Sequence, residues 1–220
     1  MLKLNCRAII FKRALCALAI IGALISSIFA GFNIIYIKTY VKGQSMSPTL
    51  NVNVPEGARG DTVYINRFAS LKRNDIVVLK VADEDDEYII KRLVALEGDV
   101  VNIEQDEQGQ KYNLVVNDEV LYSRPYYENG KKIEYGTVDF FNNYIEEHKN
   151  DEGRILKGEN GEMRGVIIKP GEAYLLGDNW SVSRDSSLLG PYKYKNIVGR
   201  VDFIVKRNQN DLINILNKIF

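Results

Sequence analysis

Two hydrophobic periodicities divide this chain. Residues 14–37 (ALCALAIIGALISSIFAGFNIIYI) form an uncharged, nearly continuous apolar run. At the helical rise this predicts a helix of about 36 Å, enough to cross a bilayer core of about 30 Å with some tilt. Beyond it the period shortens to two. VYINRF, DIVVLKV, YIIKRLVAL, DVVNI, YNLVV, GVIIK, AYLLG and GRVDFIV are short and rich in β-branched or aromatic residues. Turn signals such as GARGD, ADEDDE, EGD, EQDEQGQ and KPGE separate them. The pattern predicts a mostly β domain, an antiparallel sheet or barrel-like assembly and not a βαβ array.

The period breaks between residues 104 and 165, which are polar and rich in Gly and Asn. Inside that stretch, residues 137–149 (TVDFFNNYIEEHK) predict a helix capped by Thr137, with Phe140, Phe141, Tyr144 and Ile145 as its apolar stripe. The expected organisation is a cytoplasmic N-terminus at 1–13, a transmembrane helix at 14–37 and a core built from 38–103 and 166–207. A variable lobe is inserted at 104–165, and 208–220 form a C-terminal tail. The tail ends in DLINILNKIF, a short amphipathic helix too short to span a bilayer.

Charge orients the chain. Lys3, Arg7, Lys12 and Arg13 precede the apolar run without any acid, which places the N-terminus in the cytoplasm and the bulk of the chain outside. A cleaved signal peptide is the competing reading, but the run exceeds a usual signal core and SIFA puts Ile28 where a small residue is wanted. The formal net charge is zero, which gives nucleic-acid binding no electrostatic support. Both cysteines, Cys6 and Cys16, lie in or beside the apolar N-terminal stretch, and the one histidine, His148, sits among acidic, solvated neighbours. No disulfide, metal site or cofactor is expected of the β region.

Three segments can carry chemistry. GQSMSPTL (43–50) follows the apolar run by a few residues. Gly43 permits a close or left-handed backbone, Met46 and Leu50 can anchor the segment, and Ser45 can then face a cleft, with Ser47 a turn residue before Pro48. Backbone N–H groups from Gly43 to Ser45 could form an oxyanion hole. A serine nucleophile needs a base, and with His148 remote a neutral lysine is the other option. Lys91, in YIIKRLVAL, shares a strand face with Ile89 and Leu93 while Arg92 points the other way. Such a lysine either snorkels at an edge or is held neutral for chemistry. The third segment, LLGDNWSVSRDSSLLG (175–190), is either a polar loop or a set of hydroxyls and acids that braces a site.

Taken in order, these segments resemble the bacterial type I signal peptidases, Ser–Lys endopeptidases that remove secretory signal peptides. GQSMSPTL resembles the nucleophile box, and LKRNDIVVLK (71–80) the Arg-Gly-Asp-Ile-Val-like box. YIIKRLVALEGDVV (88–101) resembles the lysine box; LLGDN…SRDS…G with VGRV (198–201) resembles the C-terminal box. The resemblance implies that Ser45 is the nucleophile and Lys91 the general base, with the Ser45 N–H and the backbone around Gly43 holding the oxyanion. It also implies that Ser183 orients the Lys91 amine, Asp178 braces Arg92 and Asp185 supports the wall of the site. The implied substrates are exported preproteins with small-x-small cleavage sites, met at the lipid bilayer. Residues 37–45 span at most about 28 Å extended, which would hold the site near that bilayer.

The chain departs from the family pattern in places. Trp180 and Ser181 follow the Gly-Asp-Asn turn where Arg-Asp is common, and Ser187 stands where an Arg would pair with Asp185, leaving Arg184 as a possible substitute. Ala95 and Glu97 replace a usual Gly and Pro. These departures suggest a specialised branch, serving a restricted set such as pilin-like surface proteins. Two other readings compete. A self-cleaving repressor-type protease would need a DNA-binding domain where this chain has its span. A degenerate, membrane-anchored assembly factor or chaperone for surface proteins would be compatible with the unusual C-terminal box.

Overall fold

The computed structural model describes residues 2–52, 54, 59–81, 88–128 and 131–206; the expected C-terminal tail, 208–220, lies outside them. The chain falls into two compact units, Met1–Ile37 and Lys38–Phe220. The first is dominated by helix α1 (Leu2–Ile35). Its segment Phe11–Ile35 is long and apolar enough to cross a membrane. Ser27 Oγ and Asn33 Nδ2 each donate to the carbonyl four residues back, at 2.8 and 2.9 Å. Both polar groups are thereby satisfied within the helix, as an apolar medium requires. The helix stops at Ile35, two residues before the apolar run ends; aromatic and β-branched YIKTY instead forms strand β1 (Tyr36–Tyr40).

The second unit is mostly β. Strands β2 (Thr62–Asn66), β3 (Ile76–Lys80), β4 (Tyr88–Leu96) and β5 (Val100–Gln105) are followed by β6 (Lys111–Val116) and β7 (Glu119–Pro125). The short β8 (Tyr127–Glu128) and β9 (Lys131–Lys132) lead into helix α2 (Gly136–His148). Then come β10 (Ile155–Lys157), β11 (Met163–Ile167), β12 (Glu172–Leu176), the one-turn helix α3 (Ser186–Leu189), β13 (Tyr192–Lys193) and β14 (Ile197–Val205). A seven-stranded sheet runs β1-β2-β14-β3-β4-β12-β13, and a five-stranded sheet runs β10-β11-β5-β6-β7. The large sheet is antiparallel in register, with Val77 opposite Lys91 on β3 and β4 and Arg92 opposite Leu176 on β4 and β12. It curls, so that residues of β1, β2, β3 and β4 line one cavity.

Side-chain alternation explains the layers. Successive residues of β3 feed different clusters: Val78 packs with Met46, Leu50, Val63 and Ile65, whereas Val77 and Leu79 pack with Leu93, Ala173 and Leu175. A third cluster joins Leu114, Val116 and Val166 of the small sheet to Val94, Tyr174 and Leu176 of the large one. Helix α2 adds Val138, Phe141, Tyr144 and Ile145 to that cluster, so the 104–165 segment shares a core with β4 and β12. Thr137 does not cap α2. Tyr135 is the N-cap residue, Thr137 lies in the first turn, and its hydroxyl is buried without a hydrogen-bond partner. The cap falls two residues earlier than the Thr signal because the start of the helix docks on the 180–181 backbone, where Thr137 N donates to Trp180 O at 3.0 Å.

At the corner between the sheets, Asp99 accepts from Leu96 N at 2.8 Å, Asn117 Nδ2 at 2.9 Å and Arg73 Nε at 3.1 Å. Burial alone would raise its carboxyl. The Arg73 hydrogen bond, then Leu96 N–H, Asn117 and the Arg73 charge, bring it below the usual range.

Candidate active site

Strand β4 delivers two adjacent basic residues to opposite environments. Lys91 is 4% exposed, on the same strand as the buried Leu93, and its Nζ donates to Ser183 Oγ at 3.1 Å. Burial lowers its pKa, against the opposing pull of the Asp185 and Asp178 charges. Arg92 turns to the other face, where Nε and Nη2 grip Asp178 Oδ1 and Oδ2 at 2.7 and 2.5 Å and Nη1 donates to Asn74 O at 2.8 Å. That grip raises the guanidinium further.

The 43–50 segment packs against β2 and β3. Met46 and Leu50 are buried as its anchors. Ser47 N donates to Gln44 O at 3.0 Å, and Leu50 N to Met46 O at 2.8 Å, which folds the segment into consecutive turns. Gly43 has φ 75°, and a Cβ built there would meet nothing within 4 Å. Glycine is required by the left-handed backbone and not by crowding. Ser45 and Lys91 both line a cavity of about 410 Å³, whose walls also include 39–42, Val63, Val78 and 88–90. Lys91 points its amine at Ser183; among the described residues there is no direct hydrogen bond from it to Ser45.

The 177–187 segment ties these parts together. Gly177 has no room for a side chain: a Cβ would lie 2.1 Å from Ser183 Oγ and 2.5 Å from Ser45 O. Asn179 N donates to Ser45 O at 2.9 Å, and its Nδ2 donates to Gln44 O at 3.2 Å. Ser183 N in turn donates to Asn179 O at 3.0 Å. Asp185, fully buried, accepts from Gly177 N at 2.8 Å, Ser187 N at 3.1 Å and Ser187 Oγ at 2.8 Å. Ser187 thus answers Asp185 with a hydroxyl and an N–H, and Arg184 is exposed. His148 is distant from this arrangement in role: its ring stacks on Tyr144 at 4.1 Å on helix α2.

Several residues at the site escaped the sequence reading. Gly177 was legible only as part of a turn. Asn51 has φ 59° and is 1% exposed; its Nδ2 donates to Val41 O at 3.2 Å and Gly43 O at 2.8 Å. Its backbone N donates to Asp61 Oδ2 at 2.9 Å, and Asp61 N returns a bond to Asn51 Oδ1 at 2.8 Å. This pair clamps the ends of the Ser45 segment. A lone Asn after an apolar residue carries no signal for such a role. Asn74, where the resembled box has Gly, takes φ 74°, a left-handed conformation that Asn tolerates better than most residues.

The chain matches the family described as "Signal peptidase, peptidase S26" over residues 10–206. It is 29% identical over 164 residues to signal peptidase I P of Bacillus subtilis subsp. natto, covering 72% of this chain and 71% of that protein. It is also 29% identical over 174 residues to signal peptidase IB of Staphylococcus aureus, covering 74% of each. Among solved structures, a signal peptidase I from Enterococcus faecalis V583 matches at 20% identity and a TM-score of 0.33, over 60% of this chain and 97% of that one. A family match spanning most of the chain, from the apolar helix to the last described strand, makes this protein a member of the S26 signal peptidase family of peptidases.

Proposed function

We propose that this protein is a membrane-anchored signal peptidase that cuts exported preproteins with a Ser45–Lys91 pair. The observation that supports it most is a buried lysine amine and a serine lining one cavity, with no histidine, thiol or acid among the described residues that line it. Neutral Lys91 takes the Ser45 proton as Oγ attacks the scissile carbonyl. The oxyanion forms against the Ser45 N–H and the backbone around Gly43. Lys91 returns the proton to the leaving amine, and the resulting ester is hydrolysed by water that Lys91 deprotonates. Ser183 orients the amine throughout; Asp178 braces Arg92; Asp185 supports the wall by holding Gly177 N. The preprotein lies extended between 39–42 and 88–91 and places small side chains in the cavity. The N-terminus is cytoplasmic and the second unit extracytoplasmic.

The test is cleavage of a panel of preproteins, pilin-like ones included, by the purified full-length chain in detergent. Ser45→Ala and Lys91→Ala should each lose at least about 10³-fold in rate while keeping their circular dichroism and melting behaviour. Wild-type-like processing by either variant sinks the pair. Failure of the wild type to cut any member would favour the assembly-factor reading instead.

A further inference from the structure

The lobe that interrupts the core packs against the site around Trp180, which stands where the family pattern has an arginine. Trp180 is 3% exposed. Its ring meets Tyr135 edge-on at 5.9 Å, and the Arg124 guanidinium lies 5.6 Å from its centroid. Arg124, on β7, also donates from Nη2 to Asp178 O at 3.0 Å. Helix α2 joins in: Thr137 N donates to Trp180 O at 3.0 Å, and the Tyr144 ring fills the space a Cβ on Gly190 would need, 2.7 Å away. The inserted segment therefore grips residues 178–180 by a carbonyl, an indole and a helix start.

What it grips is the joint between Ser45 and Lys91. Asp178 holds Arg92. Asn179 holds the carbonyls of Gln44 and Ser45. Four residues after Asn179, Ser183 donates its N–H to Asn179 O and accepts from Lys91. Gly177 sits so close to both Ser183 Oγ and Ser45 O that no side chain fits between them. A shift of the 178–180 backbone would be passed to both members of the pair together.

We propose that Arg124 and Trp180 are positioning residues, through which the 104–165 segment sets the mutual placement of Ser45 and Lys91. The inference rests on the Ser45–Lys91 reading above. The lobe is then a working part of the site. Trp180 replaces the usual polar residue because a lobe-borne aromatic and cation, Tyr135 and Arg124, are there to receive it.

Arg124→Ala and Trp180→Ala test this in the full-length chain, with Trp180→Phe as the conservative control. Arg124 is half-buried and belongs to none of the hydrophobic clusters, so its truncation covers the case in which Trp180→Ala fails to fold. In folded Arg124→Ala, kcat should fall about ten- to a hundredfold with KM within about twofold. The acid limb of the pH–rate profile should move to higher pH. A looser Ser183 contact admits water to Lys91, whose amine feels the Asp185 and Asp178 charges among the described residues, and less burial raises its pKa. Emission from Trp180, the chain's single tryptophan, should shift to the red. Trp180→Phe should recover most of the activity lost in Trp180→Ala. Wild-type kcat and pH profile in folded Arg124→Ala would overturn the proposal, as would a loss that merely follows the folded fraction with the profile unmoved. A wild-type enzyme that cuts and a Ser45→Ala variant that does not keep the function reading standing in either event; a Ser45→Ala variant that still cuts removes that reading first.

Discussion

Lys91 and Arg92 are neighbours in the chain and opposites in the fold. Both are basic, both sit on β4, and the pleat sends one to each face. Arg92 finds a carboxylate with two oxygens for its two nitrogens. Lys91 finds one serine hydroxyl, with the acids Asp178 and Asp185 close enough to act on it but not in contact as ion pairs. So the guanidinium is locked in its charged state and the amine is moved toward its neutral one. Burial by itself does not make a base. On this strand the burial is not offset by an ion pair: Asp178 is taken up by Arg92, and Asp185 by Gly177 N and Ser187.

The hardest test of that contrast is to make the two residues alike. Lys91→Arg should abolish cleavage, by at least about 10³-fold, because a guanidinium stays protonated and cannot act as base. Lys91→Met should be equally inactive yet more stable than wild type at neutral pH, on the order of 1 kcal/mol. The sign follows from the lowered pKa of Lys91. The unfolded chain binds more protons there than the folded one, so wild-type stability rises with pH. The advantage of Lys91→Met should therefore close as pH climbs toward the ordinary lysine value of about 10.4. Urea melts across that range would decide it, and a constant gap would contradict a neutral Lys91.

Next in size is Ser183→Ala. It leaves the burial of Lys91 but removes the only hydrogen bond its amine makes among the described residues. Loss of kcat by about ten- to a hundredfold, at little cost in melting temperature, would mark Ser183 as orienting the base. On the Arg92 face the expected ranking reverses. Asp178→Ala should cost stability, about 2–3 kcal/mol by chemical melts, since a largely buried guanidinium is left unpaired, and its effect on kcat should be the smaller one. A Tm unchanged from wild type would mean that Arg92 relaxes into solvent.

The smallest effect belongs to a second Arg–Asp pair, at the corner between the sheets. Asp99, held by Arg73, has a depressed pKa, so its contribution is complete above the unfolded value of about 3.9 and is lost as pH falls through the folded one. Asp99→Asn should be less stable than wild type by about 1 kcal/mol at neutral pH, with the gap closing below about pH 4. A gap that persists in acid would assign the loss to packing and not to charge.

Much of this was legible from the chain alone, and the reason is period. Alternation predicts strands at 63–68, 75–81, 88–96 and 199–205, within a few residues of the observed β2, β3, β4 and β14, and it puts Lys91 and Arg92 on opposite faces. The uninterrupted apolar run foretold α1 because a continuous run needs no tertiary partner to be read. Gly43, Met46 and Leu50 were readable too, since a left-handed glycine and two anchoring apolar residues are local properties.

The tertiary structure decided what depends on contact between distant segments. No periodicity states that Gly177 must lack a side chain because Ser183 and Ser45 press on it. Nor does any local signal announce that Asn51 and Asp61 clamp the Ser45 segment, or that Ser187 supplies to Asp185 the hydrogen bonds an arginine was expected to give. Thr137 was misplaced as a cap for the same reason: the start of α2 is set by the backbone of Trp180, more than forty residues away in sequence. Hydrophobic pattern and turn chemistry act over a few residues and so appear in the sequence. Steric exclusion and hydrogen-bond satisfaction act between whichever surfaces folding brings together, and only the folded chain names them.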